Sequence, residues 1–86
     1  MTLHDLAEKD VIRIQNGENL GRIDDILFDE GNGRIQSVLL RGRGRMLGLL
    51  GYDDDLLLPW ESIRRIGADV VIVDADPLPT PRKRRV

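Results

Sequence analysis

Few side chains in this 86-residue chain could do chemistry, and each lacks the partner its chemistry requires. A serine or threonine becomes a nucleophile only beside an oriented base. Ser37, Ser62, Thr2 and Thr80 have His4 as the single histidine to draw on, and it lies near a terminus, where chains are poorly held. The absence of cysteine removes thiolate catalysis, Cys-type zinc sites and disulfides together. Asp24 and Asp25 are adjacent, so on a strand they point to opposite faces and cannot share one substrate as general acid and base. If one of them points inward it needs a buried partner, such as Arg22 or Arg64. Asp29-Glu30-Gly31-Asn32-Gly33 opens like a calcium loop, but its third position is Gly31 and its twelfth is Leu40, neither of which offers a side-chain oxygen. That segment reads as a turn. The inventory predicts no enzyme, no metal site and no cofactor.

Binding has more to draw on. Arg41-Gly42-Arg43-Gly44-Arg45-Met46-Leu47-Gly48 resembles a phosphate loop at first sight, since glycines let backbone N–H groups approach an anion. Its third glycine comes one residue late for G-x-G-x-x-G, and no helical pattern follows. Arg43 and Arg45 could stack on bases and pair with phosphates of an RNA, although interleaved aromatics are missing and Asp53–Asp55 could neutralise them. Between these charge triplets lie Met46, Leu47, Leu49 and Leu50, too few to span a membrane. Such an apolar tip either folds back over the core or stays exposed as an interface, and the second reading is favoured. The last candidate is the basic run Arg82, Lys83, Arg84 and Arg85, suited to nucleic acid, an anionic membrane face or an acidic partner.

The elements that must position these residues are strands. Apolar residues come in short runs punctuated by Gly, Asn, Asp and Pro, which predicts an all-β fold. Val11 to Gln15 ends at Asn16-Gly17, a hairpin dipeptide, before a strand from Leu20 to Phe28; Gly31-Asn32-Gly33 turns the chain again into Arg34 to Arg41. The two hairpins resemble one another. Ile23-Asp24-Asp25-Ile26 and Ile35-Gln36-Ser37-Val38 each break the two-residue period by one residue, which predicts a bulge in each strand. Bulges coil a sheet, so these faults favour a barrel. Leu56 to Pro59 reads as a fourth strand, Ile63 to Ile66 as a short strand or a turn of helix, and Val70 to Val73 as a last strand buried on both faces. Leu3 and Leu6 are placed to cap one end of the barrel.

One domain is all that 86 residues can build, spanning 1–76, with a Pro-rich basic tail at 77–86 expected to be disordered. A chain this short buries only about 60% of the surface it exposes when unfolded, and without disulfides or metal its remaining support is self-association. Residues 1–76 hold 9 basic and 15 acidic side chains, a charge of −6 that repels phosphate backbones; the tail carries +4. No apolar run reaches about 18 residues, and Met1–Asp10 carries three acids and one lysine, so the chain is expected to be cytoplasmic with no membrane span.

From about Leu3 to Asp74 the pattern resembles the PRC-barrel family, especially its short single-domain sporulation-type members. The resemblance is carried by Leu3-His4-Asp5-Leu6, Val11-Ile12, Gly17 to Leu20, Gly21-Arg22-Ile23-Asp24-Asp25, Gly33-Arg34-Ile35 and the Gly42 to Gly51 segment. Its strongest part is Leu58-Pro59-Trp60-Glu61-Ser62-Ile63-Arg64-Arg65-Ile66-Gly67 followed by Asp69-Val70-Val71-Ile72-Val73. These shared residues look like fold markers: Gly21 a hairpin exit, Trp60 a core indole. The resemblance implies a six-stranded, partly open antiparallel β-barrel that self-associates and serves as an adaptor for a protein partner. The photosynthetic reaction-centre subunit and the ribosome maturation factor of that family carry extra segments this chain lacks, so neither role transfers. Two binding expectations stand: a homodimer and protein partner engaged through the barrel edge and the 46–50 loop, or RNA engaged through Arg43, Arg45 and Arg82–Arg85.

Overall fold

The structure, a computed structural model, describes residues 1–41 and 55–80, with the backbone alone at Pro79 and Thr80. A short helix, α1 (Leu3–Ala7), precedes β1 (Asp10–Arg13), β2 (Asn19–Phe28), β3 (Ile35–Leu40) and β4 (Asp55–Pro59). A 3-10 turn at Trp60–Ser62 leads into β5 (Ile63–Ile66), β6 (Val70–Val73) and β7 (Leu78–Thr80). All six expected strands form. At Trp60–Ile66 the choice between strand and helical turn resolves into one after the other. The seventh strand, β7, pairs with β4 and places Leu78–Thr80, at the start of the Pro-rich segment, on the sheet.

The strands make one sheet in the order β5-β6-β1-β2-β3-β4-β7. Five of its pairings are antiparallel, whereas β1 and β6 run parallel, Asp10 beside Val70 through Arg13 beside Val73. The sheet is therefore mixed rather than wholly antiparallel. A hairpin enforces antiparallel pairing, but β1 and β6 are joined through the rest of the fold, a crossover long enough for the parallel arrangement.

Two connections show that this sheet must curl. In a flat sheet β6 and β7 would stand five strand spacings apart, about 24 Å. The chain from Val73 to Leu78 takes five residue steps and reaches at most about 18 Å. The step from Pro59 on β4 to Ile63 on β5 must cover the same number of spacings with one residue fewer. Only a coiled sheet brings these strands within reach, and a partly open barrel results, its edges at β5 and β7.

Bulges supply the coiling. Ile23 pairs with Leu40 and Asp25 with Leu39, so Asp24 is the extra residue in β2; Leu27 pairs with Ser37 and Phe28 with Ile35, so Gln36 is the extra residue in β3. Both expected bulges stand where the apolar period falters. Two more occur, at Leu20 opposite β1 and at Arg64 opposite β6. Gly21 belongs to the first of these: it lies inside β2 beside Val11 with φ +109°, a value that disfavours a side chain, rather than at the hairpin exit. The exit is Gly17, at φ +73°. Its N–H donates to the Arg13 carbonyl at 2.8 Å while Asn16 Oδ1 accepts from the Glu18 N–H at 3.0 Å. Gly33, at φ +75°, repeats this arrangement with the Asp29 carbonyl (2.6 Å) and Asn32 Oδ1 accepting from the Arg34 N–H (2.9 Å). The two hairpins are the same device.

The core is aliphatic: Val11, Leu20, Ile23, Val38, Leu40, Leu58, Val71 and Val73 fill the curl, and Leu6 closes it from α1. Leu3, by contrast, is exposed. Trp60 is half-buried and packs against this cluster from the 3-10 turn. In β6 only Val71 and Val73 are buried; Val70 and Ile72 lie on the partly exposed outer face, so the strand is not buried on both sides. Lys9 Nζ donates to the Ala68 carbonyl at 2.6 Å and the Asp10 N–H to the Asp69 carbonyl at 3.0 Å, tying the end of α1 to the β5–β6 turn.

Helix α1 starts with a capping box, in which the Asp5 N–H donates to Thr2 Oγ1 at 3.0 Å and the Thr2 N–H to Asp5 Oδ2 at 2.9 Å. The Thr2 backbone bond holds the Asp5 carboxyl below the ordinary value of 3.8. A depressed carboxylate supports the fold above its unfolded value and ceases to as pH falls through the folded one. An NMR titration is expected to show Asp5 ionising below 3.8, and Thr2→Ala, which removes the hydroxyl but keeps the backbone N–H, to move it only part of the way back up. Leu58→Ala, at a fully buried site, is expected to cost about 2–5 kcal/mol in urea unfolding, a large part of the margin of a small domain.

Candidate interaction surface

Every interaction residue expected from the sequence lies outside the described residues: Arg43, Arg45, Met46, Leu47, Leu49 and Leu50 within 42–54, and Arg82, Lys83, Arg84 and Arg85 within 81–86. Their points of attachment are described. Leu40, the last residue of β3, pairs with Leu56, and Asp55, the first residue of β4, pairs with Thr80, the last of β7. Arg41, Asp55 and Thr80 therefore stand at one end of three neighbouring strands. Residues 42–54 and 81–86, separate in sequence, adjoin neighbouring strand ends.

That end has its own electrostatics. Arg41 Nη2 pairs with Asp24 Oδ1 at 3.1 Å, so the aspartate of the β2 bulge faces out to the root of the loop. Asp25 also faces outward, its Oδ1 accepting from the Ile26 N–H at 2.8 Å. Neither points inward, and the arginines proposed as inward partners are engaged elsewhere: Arg22 with Asp10 at 3.2 Å, Arg64 with Asp74 at 3.4 Å. Of the acidic triplet, Asp55 is buried, 6% exposed, where β4 begins.

The opposite end of β2 and β3 holds a feature with only a weak signal in the sequence. Phe28, the only phenylalanine of the chain, is 55% exposed and faces Ile35 across the ladder, with Leu27 beside it also exposed. Phe28 thus ends β2 largely outside the aliphatic core, while Ile35 opposite it is half-buried. The available signal was a lone aromatic immediately before Asp29-Glu30 and a turn. Next to it is an open groove of about 460 Å³ lined by Asp29, Asn32, Arg34, Ile35 and Ser37, with Glu61 of the 3-10 turn.

Three of the candidate chemical groups, Ser62, Thr2 and His4, are engaged in structural contacts. Ser62 Oγ donates to the Pro59 carbonyl at 2.7 Å and is buried. Thr2 Oγ1 caps α1, and His4 Nε2 faces Glu8 Oε2 at 3.2 Å on the exposed side of that helix. Among the described residues no three His, Cys, Asp or Glu side chains are grouped to hold a metal ion, and no helix is long and apolar enough to cross a membrane.

A small sheet coiled by four bulges, aliphatic inside and closed by an N-terminal turn of helix, belongs to the class of small, partly open β-barrels. Sequence comparison gives the family: residues 1–78 match the PRC-barrel domain, and the chain belongs to that family. It is similar to the probable sporulation protein YlmC of Bacillus subtilis (strain 168), with 38% identity over 73 residues covering 85% of this chain and 90% of that protein. It is also similar to the uncharacterized protein YmxH of the same organism, with 31% identity over 85 residues covering 96% and 99%. An uncharacterized protein of Clostridium acetobutylicum shares 30% over 77 residues, covering 90% and 87%.

The exposed ring gives a direct test. Phe28→Ser is expected to leave thermal stability nearly unchanged, within about 1 kcal/mol, because the ring is already half in water, and to lower the binding of a fluorescent dye that reports exposed apolar surface.

Proposed function

We propose that this chain is a non-enzymatic, cytoplasmic adaptor that associates with itself and with a protein partner, in the sporulation setting named for its relative YlmC. The observation that carries the reading is the register placing Arg41, Asp55 and Thr80 side by side. Met46, Leu47, Leu49 and Leu50 supply the apolar centre of the contact, and the arginines and Lys83 its polar rim, the composition of a working protein interface. Burial of one leucine contributes about 1.5–3 kcal/mol, comparable with what a domain of this size has to spare. The sheet edges suit an interaction governed by side chains. Arg64 and Arg65 load β5, and Pro79 occupies the middle of β7, features that discourage indiscriminate strand addition beside the loop.

A second reading draws on the same register. Arg41, Arg43, Arg45 and the run Arg82–Arg85 belong to segments attached at one end of the barrel, a gathering of cations suited to an RNA backbone even though the body is acidic. Sedimentation is expected to show a dimer, and Leu49→Asp to convert it to a monomer with unchanged circular dichroism; a wild-type monomer at all concentrations would overturn the first reading. For the second, removal of residues 81–86 is expected to abolish a salt-dependent association with RNA, and absence of any binding at low salt rejects it.

A further inference from the structure

We infer that Asn16 and Asn32 are sites of spontaneous deamidation, the first faster than the second, and that the β1–β2 and β2–β3 hairpin tips acquire carboxylates as the protein ages. The chain has three asparagines, Asn16, Asn19 and Asn32, and all three make the same local contact: the side-chain Oδ1 accepts the N–H two residues on, from Glu18 (3.0 Å), Gly21 (2.8 Å) and Arg34 (2.9 Å). That bond polarises the amide carbonyl. All three are exposed. What differs is the next residue. Gly17 and Gly33 put no side chain beside the nitrogen that must attack, whereas Leu20 follows Asn19 and is buried in the core.

The step needs only water. The Gly17 backbone nitrogen loses its proton and attacks Cγ of Asn16. The new N–Cγ bond closes a five-membered imide, and the bond from Cγ to the side-chain nitrogen breaks, releasing ammonia. Water then adds to either imide carbonyl, leaving aspartate or, with the main chain rerouted through the side chain, isoaspartate. No electrons are exchanged with any other reagent.

Rates follow from what holds each attacking nitrogen, because an N–H engaged with a carbonyl must first be freed by local opening. The Gly17 N–H is held by the Arg13 carbonyl alone, at 2.8 Å. In the other hairpin Asp29 fastens the loop three times: its carbonyl accepts from Gly33 at 2.6 Å and from Asn32 at 3.3 Å, and its Oδ1 from Gly31 at 2.7 Å. The order is Asn16 before Asn32, with Asn19 last. The consequences differ as well. A carboxylate at Asn32 joins Asp29 and Glu61 around the groove and makes it more acidic, while isoaspartate at Asn16 lengthens the main chain at the turn that sets the β1–β2 register.

The test is peptide mapping by mass spectrometry of the full chain held at mildly alkaline pH, folded and in concentrated urea. In the folded protein the amide-to-acid mass change is expected to accumulate several-fold faster at Asn16 than at Asn32 and to be undetectable at Asn19. In urea Asn16 and Asn32 are expected to converge to one rate. The inference is overturned if the folded chain keeps both Asn-Gly amides over a period in which the unfolded chain has lost them, if Asn32 leads Asn16, or if Asn19 converts as readily as either.

Discussion

The structure depends on a mismatch of lengths. Four residues separate Val73 from Leu78 and three separate Pro59 from Ile63, yet each pair sits on strands five places apart in the sheet order. A flat sheet cannot satisfy either connection, so the sheet has to coil, and Leu20, Asp24, Gln36 and Arg64 are the extra residues that let it. Once coiled, its concave side is narrow enough for one layer of valine, leucine and isoleucine to fill, with the Trp60 indole packed against that layer from the 3-10 turn. The same curvature leaves two edge strands, β5 and β7, and so defines where the barrel is open.

The positions of the strands could be read from residue types because turn chemistry is local. Asn16-Gly17 and Asn32-Gly33 demand a left-handed glycine wherever they occur between extended runs, and the hydrogen bonds there are near copies of each other. The bulges at Asp24 and Gln36 could be read because each displaces an apolar residue by one position. Those at Leu20 and Arg64 could not: the first hides behind Gly21, which resembles turn punctuation, and the second is one of two adjacent arginines that show no alternation. Parallel pairing of β1 with β6 has no local signature at all. The strand at Leu78–Thr80 was obscured by prolines, although an edge strand tolerates them.

For the proposed interaction surface, the parts are legible in the sequence and the structure adds the strand ends to which they attach. The apolar and basic segments are evident from composition, but their attachment to adjacent strand ends follows from the pairing of Asp55 with Thr80, a contact between residues 25 apart in the chain. Phe28 reads as a strand residue on its hydrophobicity; its exposure at the end of β2 is visible only in the structure.

The parallel ladder between β1 and β6 also governs how the molecule can be made. Asp10 waits for Val70 and Lys9 for Ala68, so during synthesis one edge of the first strand remains without a neighbour until β6 has left the ribosome. The meander of β1, β2 and β3 can form early from local hairpins, but its closure is a long-range event whose loop entropy is met last. A nascent chain of this kind exposes valine and isoleucine backbone along Val11–Arg13 until β6 is made, and a truncated product lacking β6 would keep that edge as a template for unwanted pairing.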